Sequence, residues 1–458
     1  MPGVDTETGG RTMRVIGTAR RRLRAFGLRG PWAVGLAGFV VLTGYLGVVL
    51  VAMSRTTYDT WGGLLVAPLL VLLAMPAMAG QARRERDRTI FWLLLAGLLL
   101  RFVGALARQF VAFDLYGGIA DASGYHDAGV RLAALFAHGD FATGMSPITG
   151  TNFIKLVTGI FYTVTGPTKL GGYLFFSWLG FWGTYFFYRA FTVAVPEGRS
   201  RSYARLVLFL PSLIFWPAGL GKDAWMVFAL GIVAYGGARL LSGSVMRGVL
   251  ICGLGIWTAG LVRPHVAGMA GLAIVAGAVL KRPSERFGQT APIVRAVSIV
   301  AVAVAAWLFV SQASAFLKES QLNVDQGVSS VLATIATRTS EGGSEFAPTI
   351  VHSPVQFPLA AIQVLFRPFA FEAHNLQSLV IALEGTFVLL LSAIRWRSIV
   401  AAVRSATERP FVAACLAYTI LFVVAFSAIA NFGILARERD QLLPFFFVLL
   451  CLPARDRA

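Results

Sequence analysis

Apolar residues run along this chain in long blocks, punctuated by short basic or glycine- and proline-containing breaks. The blocks are about 17–25 residues long, the length a helix needs to cross a hydrocarbon layer roughly 30 Å thick. Twelve spans satisfy both hydropathy and charge. The first six are Trp32–Met53, Trp61–Ala79, Thr89–Phe113, Leu170–Val195, Ala204–Leu220 and Ala224–Leu241. The second six are Gly248–Val262, Val266–Leu280, Ile293–Ser311, Leu376–Ile394, Phe411–Asn431 and Leu442–Leu452. The last is short, which predicts a tilted helix or a locally thinned bilayer. Two further apolar stretches, Phe153–Val164 and Val355–Phe366, are too short to span. They are expected to lie in the interface, the second with a re-entrant segment as its alternative.

Threading the spans alternately sets Arg83 to Arg86, Arg199 to Arg205, Lys281-Arg282 and Arg395 to Arg409 on one side, with both termini. Cytoplasmic loops collect Lys and Arg, so this side is read as the inner one. The domain organisation follows: a basic cytoplasmic segment over 1–30, a transmembrane domain over 31–453, and a cytoplasmic tail over 454–458. Its long outer loops cover 114–169 and 312–375. The fold class expected is all-α, polytopic, with interfacial helices in the outer loops.

Composition supports this reading. Of 458 residues, 57% are hydrophobic and only 14% charged, against roughly 25% charged in soluble domains. The net charge of +18 is explained by loop orientation and not by nucleic acid, since no aromatic-interleaved basic patch occurs. Cys252, Cys415 and Cys451 all fall inside apolar blocks and read as small core residues. No Cys/His metal spacing is present.

Unusual polar residues gather on the outer side: Asp114, Asp121, Tyr125, His126, Asp127, Lys222, Asp223, Arg263, His265, Arg367, Glu372, His374 and Arg437 to Asp440. Singly these are ordinary loop charges; as a set at span mouths they suggest a reactive cavity. A carboxylate there can take a proton from a hydroxyl or hold a divalent cation. Arginine and lysine can hold a lipid phosphate as it leaves. Arg101 and Glu384 sit mid-span, where each must face the protein interior, and mutual pairing is the first expectation.

The segment Asp121-Ala-Ser-Gly-Tyr-His-Asp, continuing to Phe141, resembles the first outer loop of GT-C superfamily glycosyltransferases. The likeness is to the protein-mannosyltransferase and lipid A arabinose-transferase branch, and it extends through Phe153–Gly166 and the Pro211–Trp216 segment. It implies transfer of a sugar from a polyprenyl-phosphate donor to a glycan, lipid or protein acceptor on the extracytoplasmic face. Asp121 matches the family's catalytic carboxylate. The binding candidates, taken from the outer polar set and not from the resemblance, are Asp114, Tyr125, His126, Lys222, Asp223, Arg263, His265, Arg367, Glu372, Arg437 and Arg439. Ala122 replaces the second acid of the family's paired motif, leaving Asp121 as a lone base aided by Asp114 or Asp127. A divalent cation, magnesium or manganese, is left as an open requirement. An O-antigen-type polymerase or ligase is the alternative, with the outer arginines dominant. A flippase ranks last, because polar groups are gathered at one face and not distributed through the bilayer.

Overall fold

The computed structural model describes residues 31–118, 121–280, 328–340 and 344–453. Among these residues helix dominates, and the β structure is one isolated bridge between Glu345 and Asn431. The first half comprises α1 (Pro31–Arg55), α2 (Tyr58–Glu85), α3 (Arg88–Phe110), α4 (Asp121–Ala137), α5 (Gly150–Thr165) and α6 (Lys169–Ala194). The chain continues through α7 (Ser200–Phe209), α8 (Pro211–Phe215), α9 (Lys222–Leu241), α10 (Val245–Gly260) and α11 (Pro264–Leu280). Beyond it come α12 (Val328–Thr339), α13 (Phe357–Phe366), α14 (Leu376–Ile394), α15 (Trp396–Arg404), α16 (Pro410–Phe426), α17 (Phe432–Arg439) and α18 (Leu443–Leu450).

Five helical segments among the described residues are long and apolar enough to cross a membrane: Gly38–Arg55 of α1, α2, Arg88–Leu115, α9 and α14. Their outward residues are apolar (Phe39, Val41, Leu72, Val103, Leu390), as a lipid-facing surface requires. The predicted span Ile293–Ser311 and both terminal segments lie outside the described residues.

Helix α6 is the hub, packing against α2, α3 and α9 and burying Tyr173, Phe176, Phe181, Phe187 and Phe191. It meets α9 at a glycine crossing: a Cβ on Gly231 would collide with the Gly183 carbonyl, and one on Gly183 with the Val227 carbonyl. Backbones this close need small residues, the usual device where lipid supplies no hydrophobic drive between helices.

Two predicted spans are not continuous helices. Ala204–Leu220 breaks at Leu210, whose backbone is extended (φ −67°, ψ 130°). Pro211 forces this, because a residue before proline is driven from the helical region. α8 and a 3₁₀ turn over Trp216–Ala218 follow. Phe411–Asn431 likewise ends as helix at Phe426. Leu442–Leu452 yields only the eight-residue α18, about 12 Å long at 1.5 Å per residue. Every residue of α18 is buried in protein, so its brevity needs no bilayer thinning. Irregular backbone in an apolar setting persists only where protein covers it or it lines a cavity, and here Trp216 to Leu220 are all buried.

Of the two short apolar stretches, Phe153–Val164 falls within α5, packed on α4, and Val355–Phe366 becomes a 3₁₀ turn leading into α13.

Candidate functional site

The break before α9 places Lys222 and Asp223 on that helix's first turn. Asp223 is 6% exposed and accepts from two arginines: Arg437 Nε at 2.5 Å and Arg263 Nη2 at 3.3 Å. Arg263 Nη1 also donates to Glu438 Oε2, and Gln441 Nε2 donates to that same oxygen at 2.6 Å. Charges of alternating sign therefore tie together the starts of α9 and α11 and the end of α17. Asp223, outweighing burial, strengthens the hold of Arg437 on its proton. A chain of pairs this buried gains little net stability over apolar packing, but it is costly to break at one member. Arg108, near the end of α3, stacks over Phe215 and Trp216, 4.9 Å from each ring centroid, and Asp223 is the carboxylate that acts on it electrostatically.

Beside this chain lies a cavity of about 540 Å³ lined by Gly118, Asp121, Gly124, Tyr125, Thr151, Lys155 and Lys222. Gly117 and Gly118 both adopt left-handed φ (59° and 79°) and turn the chain after the π-helical end of α3, conformations open to glycine at little cost. Asp121 opens α4, and Tyr125 stands one helical turn on, so both present to one side. Thr151 and Lys155 share a stripe of α5 in the same way. Burial, and then the Asp121 charge, push the Tyr125 phenol up to about 12, so it is a proton donor at neutral pH. Arg437 and Lys222 both feel Asp121 electrostatically. A carboxylate facing lysines in a half-enclosed cavity can accept a proton at one point and bind an anion at another.

The roughly opposite face of α5 borders a second, apolar groove of about 440 Å³. Val157, Ile160, Phe161 and Val164 of α5 line it with Leu69 and Leu73 of α2, Phe175 and Trp178 of α6, and Trp225 of α9. Trp225 is three residues from Lys222, so polar cavity and apolar groove share α5 and the first turn of α9.

The other residues singled out in the sequence are placed elsewhere. Asp114 is exposed in the π turn and does not line the cavity. His126 points away from it: Nδ1 lies 2.9 Å from the Tyr162 hydroxyl and Nε2 3.8 Å from Asp59, which Lys169 also pairs. Burial holds the His126 pKa below the usual histidine value despite Asp59. His265 packs near Phe426. Arg367 is a clasp, paired with Glu372 and lying over the stacked rings of Phe346 and Phe432. Glu372 also accepts the Phe369 N–H at 2.8 Å. Arg439, 2% exposed, donates to the Val364 and Arg367 carbonyls at the end of α13, where a cation suits the helix dipole.

Arg101 and Glu384 do not pair with each other. The charge facing Arg101 is Asp440, and Glu384 accepts the Ser212 N–H at 2.6 Å. Pro211 explains the difference: breaking the helix there frees the Ser212 N–H, and the carboxylate satisfies it.

Lys155, Thr151 and Arg108 belong to this neighbourhood but stand outside the polar set read from the sequence, and Glu438, one of the outer polar residues, is not among the binding candidates. For Thr151 and Lys155 the signal was available, a polar stripe on a stretch taken as an interfacial helix. Among the described residues no three His, Cys, Asp or Glu side chains stand together to hold a metal ion. Comparison of the chain with family models, with curated proteins and with solved structures finds no match in any of the three.

Proposed function

We propose that this chain is an integral-membrane glycosyltransferase of GT-C-like architecture. It moves a sugar from a polyprenyl carrier, linked through phosphate, to a cell-envelope glycan, lipid or protein acceptor. In this reading the chain crosses the membrane about twelve times, with the cavity of Asp121 on the extracytoplasmic face. The observation that carries the reading is the shared cavity: Asp121, Lys155 and Lys222 all line one cavity of about 540 Å³, with an apolar groove on the other side of α5. The groove suits the carrier's hydrocarbon and the lysines its phosphate. Asp121 takes the proton of an acceptor hydroxyl as that oxygen bonds to the anomeric carbon. The bond from that carbon to the phosphate oxygen breaks, and its electron pair leaves with the lipid phosphate.

A polymerase or ligase resting on outer arginines is less well supported. Arg263, Arg367 and Arg437 are paired with carboxylates, and Arg439 is spent on backbone carbonyls.

The test uses washed membranes containing the full chain, supplied with a panel of radiolabelled monosaccharides on decaprenyl phosphate or diphosphate. Transfer is expected for one donor and is lost in Asp121→Asn, whose yield and unfolding midpoint match those of the parent. Full transfer by Asp121→Asn overturns the mechanism; no transfer from any donor overturns the reading.

A further inference from the structure

The charges around the cavity do not balance. The electrostatically connected set contains four cations, Lys222, Arg108, Arg263 and Arg437, against three carboxylates, Asp121, Asp223 and Glu438, and Lys155, which lines the same cavity, adds a fifth cation. The adjoining acids Asp440 and Glu384 are matched in number by Arg101 and Arg439, which act on them electrostatically. Two positive charges are left over. Their location is informative: Arg263 and Arg437 are committed to carboxylates, whereas among the described residues the ion pairs include neither cavity lysine. Lys222 sits at the pole shared with Asp121 and Arg437. Lys155 approaches from α5 with Thr151, whereas Lys222 stands on the first turn of α9. The surplus is therefore presented at two positions and not at one.

We infer that the cavity takes a dianionic ligand, a lipid-linked sugar joined through two phosphates, with Lys222 holding one phosphate and Lys155 the other. This rests on the transferase reading above and narrows its substrate class. A sugar phosphodiester of a lipid carries one negative charge at neutral pH, and the corresponding diphosphate diester carries two. Only the second neutralises the site. Complementarity of this kind discriminates between ligands of equal hydrocarbon length, because the grease contributes equally to both.

The experiment measures binding to the full chain in lipid nanodiscs by calorimetry. The two probes are glucose joined to farnesol through one phosphate and through two. The two-phosphate probe is expected to bind about tenfold more tightly or better. In Lys155→Gln the gap closes to less than about threefold, and in Lys155→Arg, which keeps the charge, it persists. Equal affinity for the two probes, or a gap that survives in Lys155→Gln, overturns the inference while leaving the transferase reading standing. Failure of both probes to bind removes the reading and the inference together.

Discussion

Asp223 is where three separated parts of the chain meet, and Asp223→Asn tests whether that meeting holds them. The substitution keeps the shape and removes the charge. Arg263 and Arg437 then face one another with only Glu438 between them. With charge centres about 4 Å apart and an effective dielectric near 20, each of the two attractions to Asp223 amounts to about 4 kcal/mol before desolvation. Desolvation of the carboxylate offsets several kcal/mol of that gain, so the intact pairs are close to neutral overall. The variant loses the attraction but not the arginines' own burial, and its expected cost is about 3–5 kcal/mol of stability.

The informative measurement is a double-mutant cycle with Arg437→Met. Removing both partners takes away the stranded cation as well as the anion, so the double variant should be markedly more stable than the sum of the singles implies. A coupling of about 2 kcal/mol or more is expected, read from equilibrium unfolding in mixed micelles of dodecyl sulfate and dodecyl maltoside by tryptophan fluorescence. Coupling below about 0.5 kcal/mol, the scatter for independent sites, would refute the argument that this pair is buried and mutually dependent.

Two further outcomes follow from other parts of the fold. Gly231→Val drives a side chain into the Gly183 carbonyl; with backbone unable to yield, a loss of about 1–3 kcal/mol or more is expected in the same unfolding assay, and parental stability would mean the α6–α9 crossing is looser than described. For Glu372, burial raises the pKa, but hydrogen bonds from Arg367 and the Phe369 N–H outweigh it and hold the carboxyl below its ordinary value. The unfolded state then binds protons more readily, so the Glu372 contribution is present above about pH 4.3 and is lost as pH falls through the folded value. Glu372→Gln should therefore flatten the acid limb of the stability–pH curve and converge with the parent at its foot, whereas an unchanged slope would exclude the clasp from acid sensitivity.

Long apolar runs were enough to locate α1, α2, α3, α9 and α14, because length and hydropathy are what a membrane demands of a single helix. They do not foresee the break at Leu210 within Ala204–Leu220, where composition is apolar throughout but Pro211 decides the backbone. At Leu442–Leu452 they give a helix but not its surroundings, since a short helix buried in protein is as greasy as a lipid-facing one. The inward orientation of Arg101 and Glu384 was legible from cost alone, and both are buried; what each meets was not, since the Asp440 charge that acts on Arg101 and the Ser212 N–H that bonds Glu384 are brought there by tertiary folding. The same limit applies to the cavity. Asp121, Lys155 and Lys222 belong to three helices, and hydropathy carries nothing about how those helices are arranged.

The broken helices and the concentration of charge are one feature viewed twice. Interrupting a helix in an apolar setting frees backbone groups that water cannot reach, and each must find a partner. At the first break the Ser212 N–H finds Glu384. At the second, Asn431 Oδ1 accepts from the Gly433 and Ile434 N–H groups, while Arg439 satisfies the carbonyls ending α13. Once polar side chains are committed there, further charges can be neutralised locally. Asp223 follows directly from the first break, and Arg437 and Glu438 follow from the second. Their mutual pairing is thus a consequence of two interruptions brought side by side. The first interruption is written in the sequence: Pro211, inside an apolar run, is followed within about a dozen residues by the opposite charges of Lys222 and Asp223.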